Sequence, residues 1–209
     1  MAEMSTQGAP RTPIIEWGWA GRPLEQVSGD LHAVVERDGG ALVALLDGLG
    51  HGIEAFEAVR AAVPVIEAHA GEAVVELVQR CHDALRKTRG AVMSAAWFDA
   101  LDSSMTWTGV GNVDSVLIRA AKRFPPRNEA IATRGGVVGY RLPSLHAERL
   151  PVAPGDLLVM ATDGIRSTFS SGIVTQFSVQ EIAESILARH AKGTDDAHVV
   201  VARYVGAPP

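Results

Sequence analysis

Apolar and polar positions change period several times along this chain, and each change marks an element. Residues 14–20 alternate weakly, as a strand does. Residues 30–36 and 41–47 form two further strands around Arg37-Asp38-Gly39-Gly40, and Asp-Gly and Gly-Gly dipeptides signal a hairpin. In an antiparallel pair joined by that turn, the start of the first strand lies beside the end of the second. The hairpin therefore puts Asp30 and Asp47 at the same end of a sheet. Residues 41–46 are uninterruptedly apolar, which predicts a buried strand. Ile53, Phe56, Val59, Val63 and Ile66 then recur at helical spacing, with Pro64 expected to kink or split the helix. A second helix carries Val74, Val78, Cys81 and Leu85 and ends near Arg89-Gly90. Both stripes read as core faces.

Beyond residue 91 the period shortens again. Residues 92–98, 105–110 and 113–118 read as strands, with Leu101-Asp102-Ser103-Ser104 as a turn. Asp99 and Asp102 read as turn residues. A pair of short strands is expected between residues 130 and 150. Pro154-Gly155-Asp156 turns into a strand over residues 157–162, so Asp156 reads as structural. Ser178-Val179-Gln180-Glu181 fits a capping box, opening a helix with Ile182 and Ile186 that Gly193 can cap at its far end. A last strand spans residues 199–205. Hairpins dominate this order. The fold class is α+β: two largely antiparallel sheets packed face to face with helices outside, an α-β-β-α sandwich. Residues 1–13 are expected to be a disordered lead and residues 14–206 one domain.

Composition narrows the partners more than the fold. With 209 residues, 47% hydrophobic, the chain can bury a full core. A net charge of −5 gives no basic footprint for nucleic acid. The densest basic cluster, Arg119, Lys122, Arg123 and Arg127, surrounds a Pro-Pro loop and reads as solvated. Cys81 is the only cysteine, so no intrachain disulfide can form, which suits a reducing compartment. No apolar run is long enough to span a bilayer. A cytoplasmic protein with no membrane partner is the expectation.

The chemistry concentrates at Asp47-Gly48-Leu49-Gly50-His51-Gly52. Glycine costs conformational entropy and a carboxylate beside a core needs a partner, so this stretch is a poor choice for packing alone. Glycines let backbone approach a ligand, and a carboxylate there can hold a hard cation. An aspartate ends an apolar strand again at Asp163, followed by Gly164, and further acidic positions stand at Asp30 and at Asp195-Asp196. Oxygen-only ligands suit Mg²⁺, Mn²⁺ or Ca²⁺ rather than zinc or copper. Converging carboxylates repel unless cations neutralise them. Two cations about 3.5–4 Å apart can activate a water and clamp a phosphoryl group. Metal-assisted hydrolysis of a phosphate ester is thus one reading, and four acidic turns with no joint role is the other.

Ser28-Gly29-Asp30, the Asp47 to Gly52 stretch, Gly109-Val110-Gly111-Asn112, Ala161-Thr162-Asp163-Gly164 and Asp195-Asp196-Ala197 occur in an order that resembles the metal-dependent protein phosphatase family, type 2C, in its SpoIIE-like branch. The resemblance covers the chain from about Val27 to Arg203. It implies an α-β-β-α sandwich and removal of phosphate from phosphoserine or phosphothreonine on a small regulatory protein of a bacterial stress-signalling pathway. It implies two Mn²⁺ or Mg²⁺ ions. By position, Asp47 matches the aspartate that bridges both metals and carries catalysis, and Gly48 offers a backbone carbonyl. Asp30 matches a ligand of one metal, Asp163 and Asp195 ligands of the other, with Asp196 as second choice to Asp195. Leu49 stands where the commoner motif has a proton-donating histidine, so that role is not carried onto His51. Arg22 is a weak candidate to grip phosphate. The alternative is a non-catalytic module of the same fold that docks a partner. An ATP-binding kinase ranks last, since Leu49 and His51 stand where its nucleotide motif needs glycines.

Overall fold

The computed structural model describes residues 13–120 and 128–206. Two five-stranded antiparallel sheets dominate it. The first runs β1 (Ile15–Arg22), β10 (Ala197–Tyr204), β9 (Leu157–Ala161), β6 (Asp114–Ile118), β7 (Asn128–Ile131). The second runs β2 (Asp30–Arg37), β3 (Gly40–Gly48), β4 (Ala91–Asp99), β5 (Ser104–Val110), β8 (Glu148–Pro151). Helices α1 (Ile53–His69) and α2 (Val74–Leu85) cover the second sheet, and α3 (Val179–His190) covers the first.

β3 shows why its sequence is an unbroken apolar run. Val43 and Leu45 face the other sheet, packing with Phe98, Leu158 and Tyr204. Leu42, Ala44 and Leu46 face the helices, packing with Val59, Ile66, Leu77 and Cys81. A strand buried on both faces has no position for a polar residue. Each fully buried Leu, Ile or Val side chain contributes roughly 1.5–3 kcal/mol. A third core packs Val159, Val199 and Val201 of the first sheet under Ile182 and Ile186 of α3. The expected sandwich is therefore the observed one.

Several local expectations are corrected. α1 runs through Pro64 without a break. Pro64 and Arg60 are both exposed, so the Arg60 carbonyl that loses its amide partner can turn to water. The buried face of α1 is Ala55, Ala58, Val59, Ala62 and Ile66, while Ile53 is 60% exposed. Small residues let this helix lie close on the sheet, which an apolar stripe of large residues does not reveal. The two short strands exist but do not pair with each other: β7 extends β6 in the first sheet and β8 extends β5 in the second. A four-residue strand carries too little pattern to name its partner. α3 ends on an extended Ala191 rather than at Gly193. Its capping box is present as expected, with the Ser178 hydroxyl and the Glu181 backbone and side chain reciprocally bonded. The expected disordered lead, but for Pro13, lies outside the described residues. Among the described residues no helix is long and apolar enough to cross a membrane.

Arg119 departs furthest from its reading as a solvated loop residue. It is 8% exposed and bonds Asp156 at 3.0 Å and Glu129 at 2.9 Å. Lys122, Arg123 and Arg127 lie outside the described residues.

Candidate active site

The β2–β3 hairpin turns at Asp38 and Gly39, and its register sets Asp30 directly opposite Asp47. Asp30 is buried, and the Thr162 hydroxyl donates to its Oδ2 at 2.8 Å. Asp47 is half-buried at the end of β3. Gly48 donates its N–H to the Gly29 carbonyl at 2.9 Å. A Cβ at Gly48 would run into the Ala55 carbonyl, so glycine is what allows α1 to start this close to the strand end. Gly164 has the same role after Asp163, where a Cβ would meet the Asp196 carbonyl. Both Asp-Gly pairs thus mark places where a second backbone passes tightly against a strand end.

Asp163 follows β9 and Asp195 precedes β10, and those strands pair. Their loops leave the sheet at the end where Asp30 and Asp47 stand, and the Thr162 to Asp30 hydrogen bond joins the two sheets there. Asp47, Asp163 and Asp195 line one cleft of about 180 Å³ with Leu49, His51 and Asn112. Asp30 sits buried at Asp47's side. All four sequence-selected aspartates and Gly48 are therefore brought to one end of the sandwich.

Asp196 has a different task. Its Oδ1 accepts the Leu24 N–H and its Oδ2 the Gly29 N–H, both at 2.7 Å. It pins the loop before β2 to the start of β10, and both oxygens are engaged in doing so. Asp195 is exposed into the cleft.

Repulsion and burial are visible in the titration of the inner pair. Burial, then the neighbouring Asp196, Asp163 and Asp195, raise Asp30 to about 7, against the lowering effect of its bond from Thr162. Burial, then Asp30, Asp163, Asp195 and Asp196, push Asp47 up to about 8. Two carboxylates held in this way favour either protons or a counter-cation. Among the described residues, no three Asp, Glu, His or Cys side chains stand close enough together to hold a metal ion as placed. The carboxylates ring a cleft.

His51 lines the cleft but pairs with Glu25 at 2.7 Å, both more than half exposed. Arg22 ends β1 opposite Ala197 and is not among the residues lining the cleft. Three contributions escaped sequence reasoning. Asn112 donates to Asp163 Oδ2 at 2.8 Å; its Gly-Val-Gly-Asn setting was the available signal. Thr162 holds Asp30, and nothing in the local pattern points across 132 residues. His32 and His198 meet at 2.8 Å between the sheets, beside Trp19.

The sequence from residue 37 to 205 matches the family described as Stage II sporulation protein E (SpoIIE). The chain belongs to the SpoIIE family. It is a phosphatase domain of the type 2C class. Phosphoserine phosphatase RsbX of Bacillus subtilis (strain 168) is 28% identical over 178 residues, covering 82% of this chain and 85% of that protein. A solved chain from "The bacterial stressosome: a modular system that has been adapted to control secondary messenger signaling" superposes with a TM-score of 0.80 at 27% identity, over 90% of this chain and 99% of that one. The crystal structure of RsbX in complex with magnesium gives a TM-score of 0.75 at 21% identity, over 90% of this chain and 94% of that chain. The catalytic domain of the serine threonine protein phosphatase PstP with 2 manganese ions gives 0.63 at 17%, over 91% and 98%. These last two likenesses bear on the fold alone. The first of those two structures holds magnesium and the second manganese.

Proposed function

We propose that this SpoIIE-family phosphatase hydrolyses phosphoserine or phosphothreonine on a small regulatory protein of a bacterial stress-signalling pathway. The observation that carries the reading is the acidic cleft, where Asp47, Asp163 and Asp195 meet beside buried Asp30. The donor set is all oxygen, which fits a hard divalent cation. Burial first, and then the neighbouring aspartates, raise the proton affinity of Asp30 and Asp47, which a bound cation would offset. Two Mn²⁺ or Mg²⁺ ions are the proposed complement, held by Asp30, Asp47, the Gly48 carbonyl, Asp163 and Asp195. Such ions would supply Lewis-acid chemistry: a more acidic water and a clamp on phosphoryl oxygens.

The chain's own groups prepare the site. Thr162 fixes one oxygen of Asp30, and Asn112 fixes one oxygen of Asp163. Asp196 ties the Leu24–Gly29 loop down, so the approach to Asp30 is set before any ligand arrives. Asp47 lines the cleft and stands directly opposite Asp30, and it is the catalytic carboxylate of the proposal. Likeness to RsbX, named as a phosphoserine phosphatase, supports the phosphoprotein substrate.

Hydrolysis of p-nitrophenyl phosphate and of phosphoserine proteins is to be measured with Mn²⁺, with Mg²⁺ and with EDTA. Phosphate release with metal and none with EDTA is the expected result. Metal binding without release from any phosphoprotein would overturn the enzyme reading in favour of a partner-docking module.

A further inference from the structure

A second groove, of about 450 Å³, opens beside the acidic cleft and shares Asn112 and Asp163 with it. Its far wall is Arg166, Ser167, Thr168 and Lys192, all exposed. The two cations are mounted on a clasp. Arg166 donates its N–H to His190 at 2.9 Å, Lys192 donates its N–H to Gly164 at 2.8 Å, and Ile165 and Ala191 bridge between them. This clasp joins the segment after Asp163 to the segment before Asp195, so it is fixed relative to the cleft. Among the described residues, the guanidinium of Arg166 has one polar contact, the Ala191 carbonyl at 3.4 Å. No carboxylate of the described residues lies within ion-pairing distance of Arg166 or Lys192. Asp114 shares the groove, and the charge of Lys192 acts on it. Among the described residues, Arg166 and Lys192 are thus two cations beside the cleft without an ion-pair partner.

The chain is net −5, and the neighbouring cleft is ringed by aspartates. Two cations without an ion-pair partner beside the cleft can receive carboxylates of a bound substrate segment. We propose, resting on the phosphatase reading above, that this groove is a specificity subsite. It takes an acidic side chain flanking the phosphorylated residue, with Arg166 as its principal contact, Lys192 as the second, and the Ser167 and Thr168 hydroxyls as added donors. The groove adjoins the cleft at Asn112 and Asp163, so the proposal has acidic residues count on one flank of the phosphoserine and not on the other.

The test uses the full chain with Mn²⁺ and three phosphoserine peptides: two aspartates before the phosphoserine, two after it, or glutamines at all four places. p-Nitrophenyl phosphate is measured alongside. For the unaltered chain, kcat/KM is expected to be about tenfold higher for one acidic peptide than for the neutral one, as two exposed ion pairs at the upper end of their range allow. Arg166→Glu should bring that ratio to about one or below, and Arg166→Glu with Lys192→Glu should invert it. Raising NaCl from 50 to 500 mM should shrink the ratio in the unaltered chain, which needs no variant to fold. Equal kcat/KM for all three peptides, or a preference that survives high salt and both charge reversals, overturns the subsite. Absence of hydrolysis of every peptide and of p-nitrophenyl phosphate overturns the phosphatase reading instead, so the two failures are told apart.

Discussion

Asp156 is 3% exposed and receives the Arg119 guanidinium at 3.0 Å, the Ala120 N–H at 2.9 Å and the Ala153 N–H at 3.1 Å. Asp30 is 6% exposed and receives one hydroxyl, from Thr162, while its cross-strand partner is another aspartate. The chain therefore has the means to neutralise a buried carboxylate and uses them at one end of the sandwich but not at the other. Around Asp156 the charge is closed within the protein, a structural arrangement. Around Asp30 and Asp47 the charge is left open to whatever cation or proton arrives. Uncompensated buried charge is costly, so its retention distinguishes a working site from a packed one.

Removing one carboxylate from each end is the sharpest way to break the comparison. Asp47→Asn is nearly isosteric and should lower kcat/KM with Mn²⁺ by more than about a hundredfold, beyond what loss of an outer partner of a metal ligand costs. In EDTA the same variant should melt above the unaltered chain, because one of the repelling charges is gone. A variant that is fully active, or that melts lower in EDTA, would show that Asp47 is an ordinary structural residue. At the other end, Arg119→Met should cost about 3 kcal/mol by urea titration, since it strands the buried Asp156 carboxylate. Activity per folded molecule should be retained. Arg119→Met with no loss of stability would mean that Asp156 is solvated after all.

Metal and pH probe the open end directly. Mn²⁺ at a hundredfold excess over its dissociation constant should add roughly 2.7 kcal/mol to stability, a shift that coincident melts in Mn²⁺ and EDTA would refute. In EDTA the slope with pH has a definite sign. Asp30 and Asp47 hold protons up to about 7 and 8 when folded, against an ordinary 3.8, so the folded state binds more protons than the unfolded one over that interval. Metal-free stability should therefore rise as pH falls from 8 to about 6.5. Below that, His198, pushed down to about 3 by burial and then by His32, stays neutral while its unfolded form charges, which offsets part of the aspartate gain, so the rise should become shallower. With Mn²⁺ bound the upper slope should reverse, as protons and metal compete for the same oxygens. A metal-free melting temperature that climbs steadily from pH 6.5 to 8 would contradict the open-charge picture.

The smallest effect is expected far from both ends. Cys81 is fully buried in the helix-covered core, and burial pushes its thiol up to about 12. Cys81→Ser should cost about 1–3 kcal/mol through its buried hydroxyl and leave turnover per folded molecule unchanged. A loss of activity larger than the loss of folded protein would place a working thiol where none is proposed.

Much of this contrast was legible before folding. The hairpin register follows from the turn at Asp38-Gly39, so the Asp30–Asp47 pairing was readable from local spacing alone. The double-sided burial of β3 was readable because no polar residue interrupts it. The buried role of Arg119 was not readable. Its partner Asp156 lies 37 positions away, and a basic residue before a Pro-Pro loop looks solvated until the sheet folds Glu129 and Asp156 around it. The pairing of β7 and β8 failed for a similar reason: short strands join whichever sheet edge is open, and edges exist only once the sheets do.

The chain by itself determined the elements, the sandwich class and the identity of the acidic positions, because period, turn chemistry and an Asp-Gly pair at a strand end are local properties. Only tertiary structure decided which acids face the cleft and which do not. Asp195 and Asp196 are neighbours with the same side chain, yet one opens to the cleft and the other is consumed by two backbone amides of a loop 167 and 172 residues away. A carboxylate's role depends on the donors and charges within a few ångströms of it, and those are assembled from distant segments only by the packing of one sheet on the other.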